Sequence, residues 1–175
     1  MDIELTTAAL ERLAAEVAAC LTARGEWLAC AESCTGGWVG QCLTAIDGAS
    51  NWFDCGLITY SNAAKVELLG VPESTLERHG AVSEATARAM AQGALQRSRA
   101  HWALAVTGIA GPGGGTATKP VGTVCFAWAR REAGCVAETR YFVGDRTAVR
   151  ARSVQHALTG LLARLGDASD FSHEI

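Results

Sequence analysis

The chain has 175 residues, 49% of them hydrophobic and 19% charged, which is typical of one globular domain with a sizeable core. Its formal net charge is -3, with 15 basic and 18 acidic residues spread along the chain, so a broad basic face for nucleic acid is excluded. No apolar run approaches the roughly 18 residues of a membrane span, and the acidic start is unlike a secretory signal. We therefore expect residues 1–175 to form a single cytoplasmic domain that binds neither a membrane nor nucleic acid.

The seven cysteines are odd in number and form no Cys-x-x-Cys pair. They predict neither a complete disulfide framework nor a zinc site, and most are interpreted as buried thiols. We expect no metal and no other cofactor.

The first part of the chain alternates helical and extended patterns. Leucines and other apolar residues at helical spacing predict an opening helix, with Thr6 or Thr7 as N-cap and Gly25 as a stop. Either Ser61 or Asn62 fits the N-cap of a later short helix. The predicted elements are helix 6–24, strand 27–31, helix 38–46, strand 52–60 and helix 63–69.

The second part begins with helices and then turns to strands. Ser83 is the predicted N-cap of a helix that runs to about residue 98. The other predicted elements are helix 73–78, strands 102–106, 121–130 and 136–143, a final helix 146–165, and a frayed tail around Glu174. Helices flanking strands, some joined by crossovers and some by a direct hairpin, predict the α/β class, a three-layer α/β/α sandwich with a mixed β-sheet.

A predicted strand-turn-helix unit carries the run Ala-Glu-Ser-Cys-Thr-Gly-Gly at positions 31–37. A helix N-terminus offers unpaired N–H groups and a positive dipole end, which suit a developing oxyanion. Ser33 is the candidate nucleophile here, and Gly36 and Gly37 would let a ligand approach the backbone closely. The same residues also fit a structural interpretation, in which Ser33 or Thr35 is only an N-cap.

A serine nucleophile needs a base, which is most often histidine. None of the four histidines, at positions 79, 101, 156 and 173, lies in a predicted loop that faces Ser33. Lys65 is the better candidate, because with Asn62 as N-cap it is the third residue of a helix, where the dipole repels a cation. This position, with partial burial, would lower its pKa so that it could deprotonate Ser33.

A glycine-rich loop at 108–115 follows a predicted strand, as phosphate-binding loops do. It lacks the Gly-Lys-Ser/Thr ending of a nucleoside-triphosphatase loop and does not match the dinucleotide-binding pattern. An ATP-hydrolysing role is therefore disfavoured, and the loop alone identifies no ligand.

Six motifs occur in order along the chain. They are Ala-Glu-Ser-Cys-Thr-Gly-Gly at 31–37, Ile-Thr-Tyr-Ser-Asn at 58–62 followed by Lys65, Gly-Ala-Val-Ser at 80–83, Thr-Gly-Ile-Ala-Gly-Pro at 107–112, Lys-Pro-Val-Gly-Thr-Val at 119–124 and Gly-Asp-Arg at 144–146. Together they resemble one family, the CinA C-terminal domain family, over about residues 8–165. The resemblance implies an amidohydrolase without metal or redox cofactor that converts nicotinamide mononucleotide and water to nicotinate mononucleotide and ammonia.

The resemblance also implies roles for single residues. Ser33 is expected to be the nucleophile and Lys65 the base. Tyr60, Thr107 and Arg146 match the family's other site positions and are expected to position the amide, the attacking group and the 5′-phosphate.

Further substrate contacts are expected from the backbone. Thr35, Gly36 and Gly37, or Gly108 and Gly111 in the glycine loop, would bind the substrate, with N–H groups that hold the oxyanion. Arg150 lies one helical turn from Arg146, so either arginine fits the phosphate.

Cys34 is a rival nucleophile, because a helix N-terminus would lower the pKa of its thiol. Adjacent residues leaving a strand point to opposite sides, so only one of Ser33 and Cys34 should face the substrate.

Two function classes remain, since relatives of this family also occur fused to a second domain and are linked to competence. One is the stand-alone deamidase, and the other is a non-catalytic interaction module. The five tryptophans, at positions 27, 38, 52, 102 and 128, predict a self-association surface and hence a homodimer.

Overall fold

The helices begin and end where the sequence places capping residues. In the computed structural model, which describes residues 6–166, helix α1 (Thr7–Arg24) starts after Thr6, whose hydroxyl accepts a hydrogen bond from the Ala9 N–H at 3.2 Å. It ends at Gly25, whose φ of 64° is left-handed and suits glycine. The other helices are α2 (Trp38–Thr44), a 3-10 turn (Ala49–Asn51), α3 (Asn62–Leu69), α4 (Glu73–His79), α5 (Glu84–Gln96) and α6 (Arg146–Gly166).

Five strands form one mixed sheet in the order β2-β1-β3-β4-β5. Strand β1 pairs in parallel with β2 and β3, whereas β4 is antiparallel to both β3 and β5. Four strands therefore point the same way, and β4 runs against them. The strands are β1 (Leu28–Glu32), β2 (Phe53–Ile58), β3 (Trp102–Gly108), β4 (Thr123–Arg130) and β5 (Gly134–Tyr141).

The two faces of the sheet differ in side-chain size. Because successive residues of a strand point to opposite faces, the central strands give one face of large side chains and one of alanines. The large face, which includes Trp102, Phe126 and Trp128, packs against α1, α2 and α6. The alanine face packs against α5, with α3 and α4 outside it, and includes Ala29, Ala31, Ala103, Ala105, Ala127 and Ala129. The predicted α/β class and mixed sheet are confirmed.

The element boundaries differ from the sequence prediction by a few residues. Strand β2 ends at Ile58 rather than at residue 60, β3 continues to Gly108, and β5 covers Gly134–Tyr141 instead of 136–143. The new boundaries are set by strand pairing. Ile58 is the last residue of β2 that pairs with β1, Gly108 pairs with Val124 of β4, and Gly134 pairs with Arg130 of β4. The predicted tail around Glu174, and His173, lie outside the described residues.

The parallel strands carry the candidate residues to one edge of the sheet. Strands β1, β2 and β3 end there at Glu32, Ile58 and Gly108, and the next residues of each chain segment turn over the same edge. In open α/β sheets, ligands bind at this carboxyl edge. Within the described part of the chain, no helix has both the length and the apolarity that a bilayer span requires.

Candidate active site

A cavity of about 200 Å³ opens at the carboxyl edge of the sheet. It lies where the segments that follow β1, β2 and β3 meet the start of α6, so residues far apart in sequence face one another. The lining residues are Ser33, Cys34, Tyr60, Asn62, Lys65, Ala81, Val82, Thr107, Gly108, Ala110 and Arg146.

Ser33 and Lys65 form a buried pair in this cavity. The Lys65 amine donates hydrogen bonds to the Ser33 hydroxyl oxygen at 3.0 Å and to the Thr59 carbonyl at 2.8 Å. Ser33 is 8% exposed and Lys65 is 1% exposed. At this separation the Ser33 O–H can instead donate to the amine lone pair once Lys65 is neutral.

The surroundings of Lys65 favour that neutral form. Burial lowers the pKa of the Lys65 amine, and the neighbouring Cys34 opposes the shift without cancelling it. The N-cap of α3 is Ser61, whose hydroxyl accepts from the Ala64 N–H, so Lys65 is the fourth helical residue rather than the third. Desolvation by burial is the main cause of the lowered pKa of Lys65.

Cys34 does not have the environment of a reactive thiol. Burial, together with the negative charge of Glu32, raises the pKa of its thiol to about 12, although Arg150 and Lys65 act in the opposite direction. The expectation of a lowered thiol pKa was wrong because burial of the thiol raises its pKa and the charge of Glu32 adds to the rise. The hydroxyl of Ser33, and not the thiol of Cys34, has the Lys65 amine as its hydrogen-bond partner.

Tyr60, Thr107 and Arg146 complete the polar wall of the cavity. The Arg146 guanidinium donates to the Tyr60 hydroxyl at 2.9 Å and to the Gly111 carbonyl at 2.7 Å. The Thr107 hydroxyl donates to the Ala81 carbonyl at 2.8 Å. Gly111 therefore holds Arg146 in place and does not itself line the cavity.

The backbone N–H groups after the Ser33 turn are already occupied. The carboxylate of Glu32 accepts from the N–H groups of Gly37 at 3.0 Å and Gly40 at 2.8 Å, and from the Thr35 hydroxyl at 2.6 Å. Thr35 is fully buried, and neither it nor Gly37 reaches the cavity. Because the Gly37 N–H is taken, it is not free to hold an oxyanion.

The structure also distinguishes between the two arginines of α6 that fit the phosphate in the sequence. Arg150 donates to the carbonyls of Cys34 at 3.1 Å and Thr35 at 2.9 Å, and its guanidinium lies 5.5 Å from the Trp38 ring centre. A side chain at Gly36 would lie 3.4 Å from this guanidinium, so Gly36 lies beside Arg150, and it is not among the residues that line the cavity. Arg146 is the arginine that lines the cavity.

Several lining residues were absent from the sequence prediction. Asn62, Ala81, Val82 and Ala110 line the cavity. Each lies inside one of the six quoted motifs, so the motifs contained the signal, but no single side-chain chemistry marked these positions. Glu32 was likewise missed, although it directly precedes the candidate nucleophile.

The described residues place no histidine in the lining of the cavity and form no metal-binding cluster. His79, His101 and His156 are the histidines of the described range, and none of them lines it. His101 accepts from the Trp27 N–H, and His156 contacts Glu138 beside the ring of Phe126. Between residues 6 and 166, no three His, Cys, Asp or Glu side chains are grouped as a metal site.

Comparison with known proteins agrees with this fold. The CinA C-terminal domain family matches residues 10–165. The nicotinamide-nucleotide amidohydrolase PncC of Escherichia coli is 48% identical over 157 residues, which is 90% of this chain and 95% of that protein. The crystal structure of the competence/damage inducible protein CihA from Agrobacterium tumefaciens is 47% identical, with a TM-score of 0.86 over 90% of this chain and 96% of that chain.

Longer relatives also match. A protein of Symbiobacterium thermophilum named as competence-damage inducible is 56% identical over 156 residues, which is 85% of this chain. The chain spans only 37% of that relative's length. The fold is an α/β sandwich with a buried Ser33–Lys65 pair at its cavity, and the chain belongs to the CinA C-terminal domain family.

Proposed function

We propose that the chain is a nicotinamide-nucleotide amidohydrolase, which converts nicotinamide mononucleotide and water to nicotinate mononucleotide and ammonia. The observation that carries this proposal is the buried Ser33–Lys65 pair, with 3.0 Å between hydroxyl and amine at the wall of a cavity. The name of the Escherichia coli relative, which this chain matches over 95% of that protein's length, supports the substrate.

In the proposed reaction, neutral Lys65 accepts the Ser33 proton while Ser33 Oγ attacks the carboxamide carbon. The carbon–nitrogen bond then breaks, and the lysine ammonium gives its proton to the leaving nitrogen, which departs as ammonia. A nicotinoyl ester on Ser33 remains. Lys65 next accepts a proton from water, the hydroxide oxygen attacks the ester carbon, and the Ser33 oxygen leaves and is reprotonated.

The other polar groups of the cavity are proposed to orient the mononucleotide. Arg146 binds the 5′-phosphate through charge-assisted hydrogen bonds. Tyr60 accepts from Arg146, which leaves its own O–H for the substrate, and Thr107 presents its oxygen as an acceptor because its O–H donates to Ala81. Gly108 lines the cavity and also lies close against β4, since a Cβ atom there would lie 2.9 Å from the Thr123 carbonyl.

We also propose that the protein is a cytoplasmic homodimer that binds no nucleic acid and no membrane. All seven cysteines are free, which fits a reducing compartment. The tryptophans do not support self-association, because Trp52, Trp102 and Trp128 are buried. Support comes instead from exposed apolar side chains at the carboxyl edge, Ile58, Tyr60, Tyr141 and Val143. Light scattering after size-exclusion chromatography measures the mass directly.

Ammonia release from nicotinamide mononucleotide, compared with release from free nicotinamide, tests the proposed activity. We expect release from the mononucleotide and little from the free base, which lacks the phosphate for Arg146. Release from neither compound would overturn the proposal. It would favour the non-catalytic interaction module, in keeping with the longer competence-damage relative.

A further inference from the structure

The turn that carries Ser33 is held on two sides by side chains of opposite charge, one buried and one half-buried. Glu32 lies on its N–H side, and Arg150, which is 118 positions further along the chain, lies on its carbonyl side. Neither side chain is needed for any proton transfer in the proposed reaction.

Glu32 is bound by donors along the whole turn. It is 1% exposed, and its carboxylate accepts from the Thr35 hydroxyl at 2.6 Å and from the N–H groups of Gly37, Val39 and Gly40 at 2.8 to 3.1 Å. Burying a carboxylate is costly unless its oxygens are hydrogen-bonded, so these donors must stay in place while it is buried. The carboxylate therefore fixes the path of the chain from Thr35 into α2.

Arg150 fixes the same turn from α6. Its Nε and Nη2 donate to the carbonyls of Cys34 and Thr35, the two residues that follow the nucleophile. Gly36 has a φ of +61°, and a side chain there would approach the guanidinium to 3.4 Å, so the turn fits closely around it. These contacts involve backbone carbonyls, which a ligand in the cavity does not replace.

The backbone on either side of the turn is tied to the sheet. The Ser33 N–H donates to the Val106 carbonyl at 3.0 Å, and the Glu32 carbonyl accepts from the Thr59 N–H at 2.8 Å. The Thr59 carbonyl also accepts a hydrogen bond from the Lys65 amine, so the same backbone segment is bonded to the strand before Ser33 and to Lys65. With the backbone anchored before Ser33, the direction of the turn after it decides where the hydroxyl points.

We propose that Glu32 and Arg150 are positioning residues, which together hold the Ser33 turn so that the hydroxyl stays within hydrogen-bond distance of the Lys65 amine. This inference rests on the proposed function for its kinetic consequence, but not for its geometric one. A displacement of about 1 Å in a reacting group can cost roughly 10²-fold in rate, so a loosened turn should lower kcat.

The kinetic test compares Glu32→Gln and Arg150→Met with wild type. Glutamine keeps the shape but replaces one acceptor oxygen with a donor, which faces backbone N–H groups. We expect kcat to fall by about 10- to 100-fold with KM within about threefold, and Arg150→Lys to recover part of the loss. Glu16→Gln and Arg12→Met, at exposed positions of α1, are the matched controls.

A crystallographic test uses the same variants and needs no substrate. We expect the distance between Ser33 Oγ and Lys65 Nζ to lengthen beyond hydrogen-bond range from 3.0 Å. An unchanged distance would overturn the inference, as would kcat within twofold of wild type, or an Arg150→Met variant that raises KM alone and so marks Arg150 as a substrate ligand. If Glu32→Gln does not fold, Thr35→Val and Arg150→Met decide. An inactive wild type would overturn the proposed function. The Ser33 Oγ–Lys65 Nζ distance in the variants would still test the positioning role.

Discussion

The Ser33 turn and the first turn of α3 each place a buried ionisable side chain beside the proposed nucleophile. The two side chains differ in how completely their charge is hydrogen-bonded. Glu32, in the first region, accepts hydrogen bonds from one hydroxyl and three backbone N–H groups. Lys65, in the second region, finds only a hydroxyl oxygen and a carbonyl. A fully bonded charge fixes a structure, while an under-compensated amine is ready to lose its proton.

This contrast suits Glu32 to a structural role and Lys65 to the proposed role of a base. The pKa of Lys65 is lowered by burial, and no carboxylate is among its hydrogen-bond partners in the described chain. An anion at this position would have kept the amine protonated and unable to act as a base.

Of the three changes considered, removal of the Lys65 amine should have the largest effect on activity. Lys65→Met should lower kcat by roughly 10²–10⁴-fold, the usual contribution of a general base. Its free energy of unfolding should not fall, because methionine fills the space without a buried amine. Steady-state ammonia release and chemical denaturation measure the two quantities. Lys119→Met, which changes the other lysine of the chain, is the matched control and should keep normal activity.

Removing the phosphate ligand should have an intermediate effect. Arg146→Gln should raise KM for nicotinamide mononucleotide by about 10- to 100-fold, because a hydrogen bond to a charged group contributes about 1.5–3 kcal/mol. Its kcat should change less than its KM. Arg12→Gln, at an exposed position of α1, serves as the control. An equal rise in KM for both variants would contradict the proposal that Arg146 binds the phosphate.

The pH dependence should show the smallest but most specific effect. Lys65 acts as a base only when neutral, so kcat/KM should rise with pH through the Lys65 pKa. Since burial lowers that pKa, the midpoint should lie below the ordinary value of 10.5. A profile of kcat/KM from neutral to alkaline pH checks this. Activity that falls over the same range would contradict the role of a neutral amine.

Local sequence signals predicted much of the fold. Thr6 and Ser83 are N-caps, Gly25 is the left-handed stop of α1, and the three central strands, which are rich in apolar residues, are buried. Each of these outcomes depends on residues close together in the chain, where backbone geometry and side-chain hydrogen bonding decide.

The site was predictable only in part, for a physical reason. Ser33 and Lys65 could be named because a nucleophile and a base are recognisable by residue type. The raised pKa of Cys34 was not, because it depends on desolvation and on the charge of Glu32. The contact between Arg150 and the Ser33 turn joins residues 115 positions apart, which no local pattern encodes.

The most direct test of the serine-lysine account is ammonia release from nicotinamide mononucleotide by Ser33→Ala and Cys34→Ala, assayed side by side at saturating substrate. Circular dichroism and thermal unfolding should first show that both variants are folded. Ser33→Ala should lose at least roughly 10³-fold in kcat, while Cys34→Ala should stay within about threefold of wild type, because its thiol has a pKa of about 12 and is not ionised. The opposite pattern, with an active Ser33→Ala and an inactive Cys34→Ala, would contradict the account.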